Sequence, residues 1–182
     1  MNRLDDMRIA AKRTNAEAFE KLCAFPVLVS QFVAEGDLQK STAPNHGIRG
    51  KTMQHVKKSS DLLLQPVARE RWIGVFRTRD GFANPWLTVG RDRRSDVMIN
   101  DYTISAVHAK LHFLPLVGRI LLSDAGSTNA TAHNGAVLRP DEQQMLVDGD
   151  QVRFGRMVFT FFRSKTFHSY LLGEWSPPAT LV

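Results

Sequence analysis

The chain has 182 residues, of which 43% are hydrophobic, enough to bury the core of one ordinary domain plus an extension, and this excludes wholesale disorder. A formal charge of +6 suits an anionic partner, and the single cysteine, Cys23, excludes an internal disulfide. The N-terminal stretch carries Asp5 and Asp6 and no signal-type apolar run, and the longest apolar run, residues 24–29, is far short of a membrane span, so a soluble, cytoplasmic protein with no membrane partner is expected.

From Asp5 to about Phe25, Ala11, Ala18, Phe19, Leu22 and Cys23 recur at roughly helical spacing among good helix formers, which predicts a short amphipathic helix. Pro26 stops it, and the β-branched run VLVSQFV that follows reads as a strand or a buried extended segment. Residues 36–60 combine Gly, Pro, Ser, Asn and basic residues without apolar periodicity and read as a linker or mobile arm. Its Arg49, Lys51, Lys57 and Lys58 are taken as solvated charges, so no nucleic-acid partner is expected.

Beyond Leu62 the texture changes to short apolar or alternating runs broken by turn signals, the pattern of an all-β two-sheet sandwich. The predicted strands are WIGVF, WLTVG, DVMI, AKLHFL, RILLS, a short pair around Asn134-Gly135, QVRF and MVFTFF. Asn134-Gly135 is a type I′ turn signal, because both central positions need positive φ, and Asp148-Gly149 reads as a repeat of the device. In SKTFHSYLLGEW, Phe167, Tyr170 and Leu171 share a helical face, with Ser164 as N-cap and Gly173 as the stop. The expected organisation is an N-terminal helical extension and flexible basic arm over 1–60, a sandwich over 61–175 and a tail over 176–182.

Four segments then fall in order: TVGRDRRSDVMINDYTIS, SAVHAKL, LSDAGSTNATAHNGAVL and LVDGDQVRFG. Together they resemble a forkhead-associated domain over roughly residues 68–163, of the kind found in stand-alone bacterial signalling adaptors. The chemistry of the residues agrees with the resemblance. Arg91 presents a planar five-donor fork beyond Gly90, and Ser105 and Thr128 offer hydroxyls on later loops that converge at one end of a sandwich.

The resemblance implies phosphothreonine binding, with Arg91, Ser105 and Thr128 on the phosphate and Asn129 on the backbone of the bound peptide. His108 is implied to prop the binding loop, and Gly90 and Gly155 to serve turns or packing. The implied partner is a phosphothreonine-containing protein, a Ser/Thr kinase or its substrate, and the implied role is that of an adaptor with no enzymatic activity and no cofactor. Two positions depart from the family pattern. Ala106 stands where a donor is usual, and Ala130 replaces the Gly that normally follows the Asn, at a cost of about 1 kcal/mol if that position needs positive φ. Arg93 and Arg94 are candidates to restore positive potential, with solvated surface charge as the alternative.

Other signals point to structure. Ser127, His133 and Asp124 crowd one turn region without a nucleophile elbow, the six histidines lack zinc spacing, and Asp148-Gly149-Asp150 lacks a calcium-loop pattern. Trp72, Phe82 and Trp86 are not spaced as a base-stacking platform. A different function remains open: a phosphate-independent scaffold or assembly protein using the sandwich surface or the N-terminal helix. A third is autoregulation through Thr42 or Thr52 of the arm.

Overall fold

A computed structural model describes residues 2–34, 38–40, 53–55, 64–75 and 85–177. Two β-sheets face each other. The larger is assembled from β1 (Asn2–Arg3), β2 (Val27–Ala34), β5 (Leu64–Gly74), β10 (Thr131–His133), β11 (Ala136–Val137), β13 (Gln151–Phe154) and β14 (Met157–Phe162), in the order β1-β5-β2-β14-β13-β10-β11. The smaller has the order β12-β9-β8-β6-β7, from β6 (Trp86–Gly90), β7 (Val97–Met98), β8 (Ala109–Leu114), β9 (Arg119–Asp124) and β12 (Gln144–Leu146). Its β6–β7 pair is parallel and its other pairs are antiparallel.

The sandwich core lies between the sheets, where Leu87, Val89 and Leu111 meet Val152, Phe154, Phe159 and Phe161. A second core covers the outer face of the larger sheet. There α1 (Leu4–Arg13), α2 (Ala16–Leu22) and α3 (Ser164–Leu172) place Leu4, Ala11, Phe19, Phe167 and Leu171 over Val27, Val29 and Phe162. Strands β2 and β14 are therefore buried on both faces, and their sequences read as continuous apolar runs where a half-exposed strand would alternate.

This architecture ties the N-terminal segment to the sandwich: β2 pairs with both β14 and β5, so residues 27–34 run through the middle of the larger sheet. A boundary at 60/61 separates two textures of sequence but cuts across one packed unit. The arm likewise holds structure at its base, where β3 (Leu38–Lys40) pairs antiparallel with β4 (Met53–His55). Thr42, Arg49, Lys51, Thr52, Lys57, Lys58 and Phe82 lie outside the described residues.

Four local expectations are corrected. The first helix is two, because Asn15 turns extended and its side chain accepts the Ala18 N–H at 2.9 Å, capping a new helix. Leu22, expected on the buried face, is 59% exposed, since the break re-aims α2 so that Phe19 alone points into the core. Arg163 is the N-cap of α3, with its N–H donated to Asp148 Oδ1, and Ser164 is the first helical residue. At the hairpin turns, Asn134 and Gly135 have φ of 48° and 86°, but Asp148 is not at positive φ and only Gly149 is, at 93°, so the second turn is not type I′.

Candidate functional site

Three loops meet at one end of the sandwich: the exit of β6 at Gly90-Arg91, the segment 99–108 before β8, and the segment 125–130 after β9. The first two are joined by backbone. Arg91 N–H donates to the Ser105 carbonyl at 2.9 Å and Asp92 N–H to the Ala106 carbonyl at 3.2 Å. This contact demands glycine at position 90, where a Cβ would stand 2.1 Å from the Ala106 carbonyl oxygen.

Arg91 is half-buried, and its Nε donates to the Ile104 carbonyl at 3.1 Å, which aims the guanidinium along the same loop. Ser105 and Thr128, also half-buried, face each other. Thr128 N–H donates to Ser105 Oγ at 3.1 Å, and the two hydroxyl oxygens are 3.4 Å apart. A guanidinium and two hydroxyls thus come from three loops to one rim, a donor set suited to a tetrahedral oxyanion.

Asn129 differs from its expected place. Its side chain is 1% exposed and its amide nitrogen donates to the Thr103 carbonyl at 2.7 Å, so it ties two loops together beneath the rim and offers a peptide no open surface.

His108 is the buried hub under the rim. Its Nδ1 accepts the Ser105 N–H at 3.0 Å, which fixes the proton on Nε2, and Nε2 donates to the Ala130 carbonyl at 3.2 Å. Gly155 N–H also approaches Nε2 at 3.2 Å, but with Nε2 protonated it is served by the Ala130 carbonyl at 3.3 Å. Burial pushes the His108 pKa down to about 4, against the opposing pull of the Ala130 carbonyl and Asp124, while Arg153 presses the same way as burial. The imidazole is therefore neutral, as two fixed hydrogen bonds of opposite sense require.

Asp124 organises the third loop, a part the sequence reading missed. Its carboxylate accepts the Gly126 and Ser127 N–H groups at 2.9 Å each, Ser127 Oγ at 2.7 Å and Thr131 Oγ1 at 2.6 Å. Burial works to raise its pKa, but the hydrogen bonds from Thr131 and Ser127 outweigh it and hold the group below its ordinary value. The signal was legible as an Asx-turn in Asp-Ala-Gly-Ser. His133 instead binds Asp150 at 2.8 Å, so Ser127, Asp124 and His133 form no triad.

The neighbours of the rim are also settled. Ala130 has φ of 59°, so the position does need the left-handed region that glycine would fill without strain. Arg94 is spent on Asp92, with both of its contacts at 3.1 Å, which removes it as a source of free potential, whereas Arg93 is exposed. Thr103 is buried and bonded to Asp101 at 2.6 Å, and Lys110 is exposed on the smaller sheet opposite Thr88. Trp72 packs against the second core, and Trp86 stacks on His112 at 4.1 Å. Among the described residues no group of His, Cys, Asp and Glu is arranged to hold a metal, and no helix is long and apolar enough to cross a membrane.

Residues 87–155 match the family model of the FHA domain. The oxoglutarate dehydrogenase inhibitor of Corynebacterium efficiens is 32% identical over 77 residues, covering 42% of this chain and 51% of that protein. Its namesake in Corynebacterium diphtheriae is 34% identical over 77 residues, covering 42% and 50%. The chain thus spans about half the length of the curated relatives it matches. Among solved structures, the FHA domain of the CT664 protein from Chlamydia trachomatis is 16% identical, with a TM-score of 0.44 and coverage of 76% of this chain and 97% of that one. The N-terminal FHA domain of Rad53p from S. cerevisiae is 26% identical, with a TM-score of 0.40 and coverage of 47% and 73%. By its ordered motifs, its two-sheet sandwich and the family match over residues 87–155, the chain carries a forkhead-associated domain.

Proposed function

We propose that this protein is a phosphothreonine-dependent interaction module, a cytoplasmic, non-catalytic adaptor in Ser/Thr kinase signalling. Arg91, Ser105 and Thr128 hold the phosphate, and Asn129 and His108 keep the loops in place. The observation that carries the reading is the Ser105–Thr128 contact, two hydroxyl-bearing side chains from separate loops held against each other beside the Arg91 loop. Charge-assisted hydrogen bonds are worth about 1.5–3 kcal/mol each, so two or three supply most of a micromolar affinity. The name of the matched relatives, oxoglutarate dehydrogenase inhibitor, supports a regulatory role exerted on another protein. The partner is a kinase or a kinase substrate presenting phosphothreonine.

The test is fluorescence anisotropy of an oriented phosphothreonine peptide library against wild type and Arg91→Ala, with unphosphorylated and phosphoserine peptides as controls. Micromolar binding that needs both the phosphate and Arg91 is expected. Absence of phosphate-dependent binding across the library overturns the reading in favour of a phosphate-independent scaffold, which Ala106, a rim residue without a donor, favours.

A further inference from the structure

Arg153 is the anomaly of the fold. It lies in β13 between Val152 and Phe154, which point into the sandwich core, so its side chain leaves on the opposite face of the larger sheet beside Ala132 and Val158. It is 7% exposed. Its Nη1 donates to the Gly155 carbonyl at 2.8 Å, while the buried Nη2 has no hydrogen-bond partner, and no carboxylate among the described residues pairs with it. A buried cation without a counter-ion costs several kcal/mol, and replacement by an apolar side chain of similar volume is often stabilising.

The place of this charge gives it a use. Gly155, which it holds, is the point where the rim loops rest: Gly155 N–H reaches the Ala130 carbonyl at 3.3 Å, and a Cβ on Gly155 would stand 2.6 Å from Thr103 Oγ1. Asp101, the carboxylate of the same region, is consumed by Arg156 at 2.8 Å and by Thr103, so it leaves Arg153 unneutralised. The guanidinium keeps its proton in a protein interior.

We propose that Arg153 is a positioning residue for anion recognition, a buried charge on the Gly155 carbonyl, one hydrogen bond from Ala130 at the end of the 125–130 loop, whose field at the rim stands in for the donor absent at Ala106. Resting on the phosphothreonine reading, this assigns to a strand interior part of the affinity that a rim donor would otherwise supply. The field of a buried charge is weakly screened, so it acts on a dianion over several residues.

The test compares wild type, Arg153→Met, Arg153→Lys and Arg91→Ala with phosphothreonine peptides over a range of salt, alongside the Tm of each and an NMR titration of the His108 ring. Arg153→Met is expected to keep or raise Tm, weaken binding on the order of tenfold and raise the His108 pKa from about 4. Arg153→Lys is expected to bind nearly as wild type. A purely structural Arg153 would lower Tm on substitution and leave the affinity of the folded fraction alone, which overturns the proposal. Should Arg153→Met not fold, Arg153→Gln, which keeps a donor for Gly155 without the charge, decides by the same measures. The two failures are distinct: wild type that binds no phosphorylated peptide sinks the site reading and this proposal with it. Wild type that binds through Arg91 while both neutral variants match it sinks Arg153 alone.

Discussion

The Ser105 N–H donates to His108 Nδ1 at 3.0 Å, so the residue proposed to meet phosphate has its backbone held by a ring with no exposure of its own. His108→Ala leaves the Ser105 N–H without its acceptor, takes one of two donors from the Ala130 carbonyl and opens a cavity. A loss of about 2–4 kcal/mol is expected in chemical denaturation. A loss under half a kcal/mol would remove His108 as the hub of the site.

The same residue sets a pH dependence. Its folded pKa is about 4 against an ordinary value of 6.5, so the unfolded state binds more protons between these values and stability rises with pH there. The contribution is complete above pH 6.5 and is lost as pH falls toward 4, about 3 kcal/mol in all. Denaturation at a series of pH values should show this slope, and His108→Asn should flatten it. Below that window, loss continues through Asp124 and Asp150, whose folded pKa values lie below the ordinary one despite burial, because Thr131 and Ser127, and His133 and Asn134, hydrogen bond to them.

Ala130 pays for its left-handed backbone at φ of 59°. Ala130→Gly is expected to stabilise the fold by about 0.5–1 kcal/mol, since glycine reaches this region without steric cost. Thermal unfolding with an unchanged or lower Tm would mean that the surrounding loop relaxes the strain some other way.

Gly90 leaves no room for a side chain. Gly90→Ala sets a Cβ against the Ala106 carbonyl, which is backbone and cannot swing aside, so the loops carrying Arg91 and Ser105 must part. A destabilisation of at least about 1–3 kcal/mol and weakened phosphopeptide binding are expected. Wild-type stability together with wild-type affinity would show that this close approach is dispensable.

Ala106→Asn restores a side-chain donor on the rim without disturbing the backbone bonds that the Ala106 carbonyl makes. Phosphothreonine peptides should bind several-fold tighter, in line with one additional hydrogen bond to a charged group. Unchanged affinity would indicate that position 106 does not face the phosphate.

Much of the sandwich was legible because its strands are short, bounded by turn residues and rich in β-branched or aromatic side chains. WLTVG and AKLHFL became β6 and β8, and QVRF and MVFTFF became β13 and β14. The helical spacing of the first residues was also legible, but the break at Asn15 was not, because an Asn-cap inside a stretch of good helix formers is a weak signal until packing chooses it. The loop residues were legible as a set of donors. Whether each one faces a ligand or another loop was not, since Asn129 and Thr128 are adjacent in sequence yet one is sealed beneath the rim and the other stands on it.

By itself the sequence determined the family of the domain, most of the sandwich strands and the kind of chemistry its loops can offer, because periodicity, turn residues and side-chain type are local properties. Only the tertiary structure decided that β2 completes the larger sheet, that three helices close its outer face, that Arg94 pairs with Asp92 and that Arg153 is a buried cation with no carboxylate paired to it among the described residues. Each of these is a relation between residues distant in sequence or turned toward one another by a loop, and its energy comes from burial and geometry that exist only once the chain has folded.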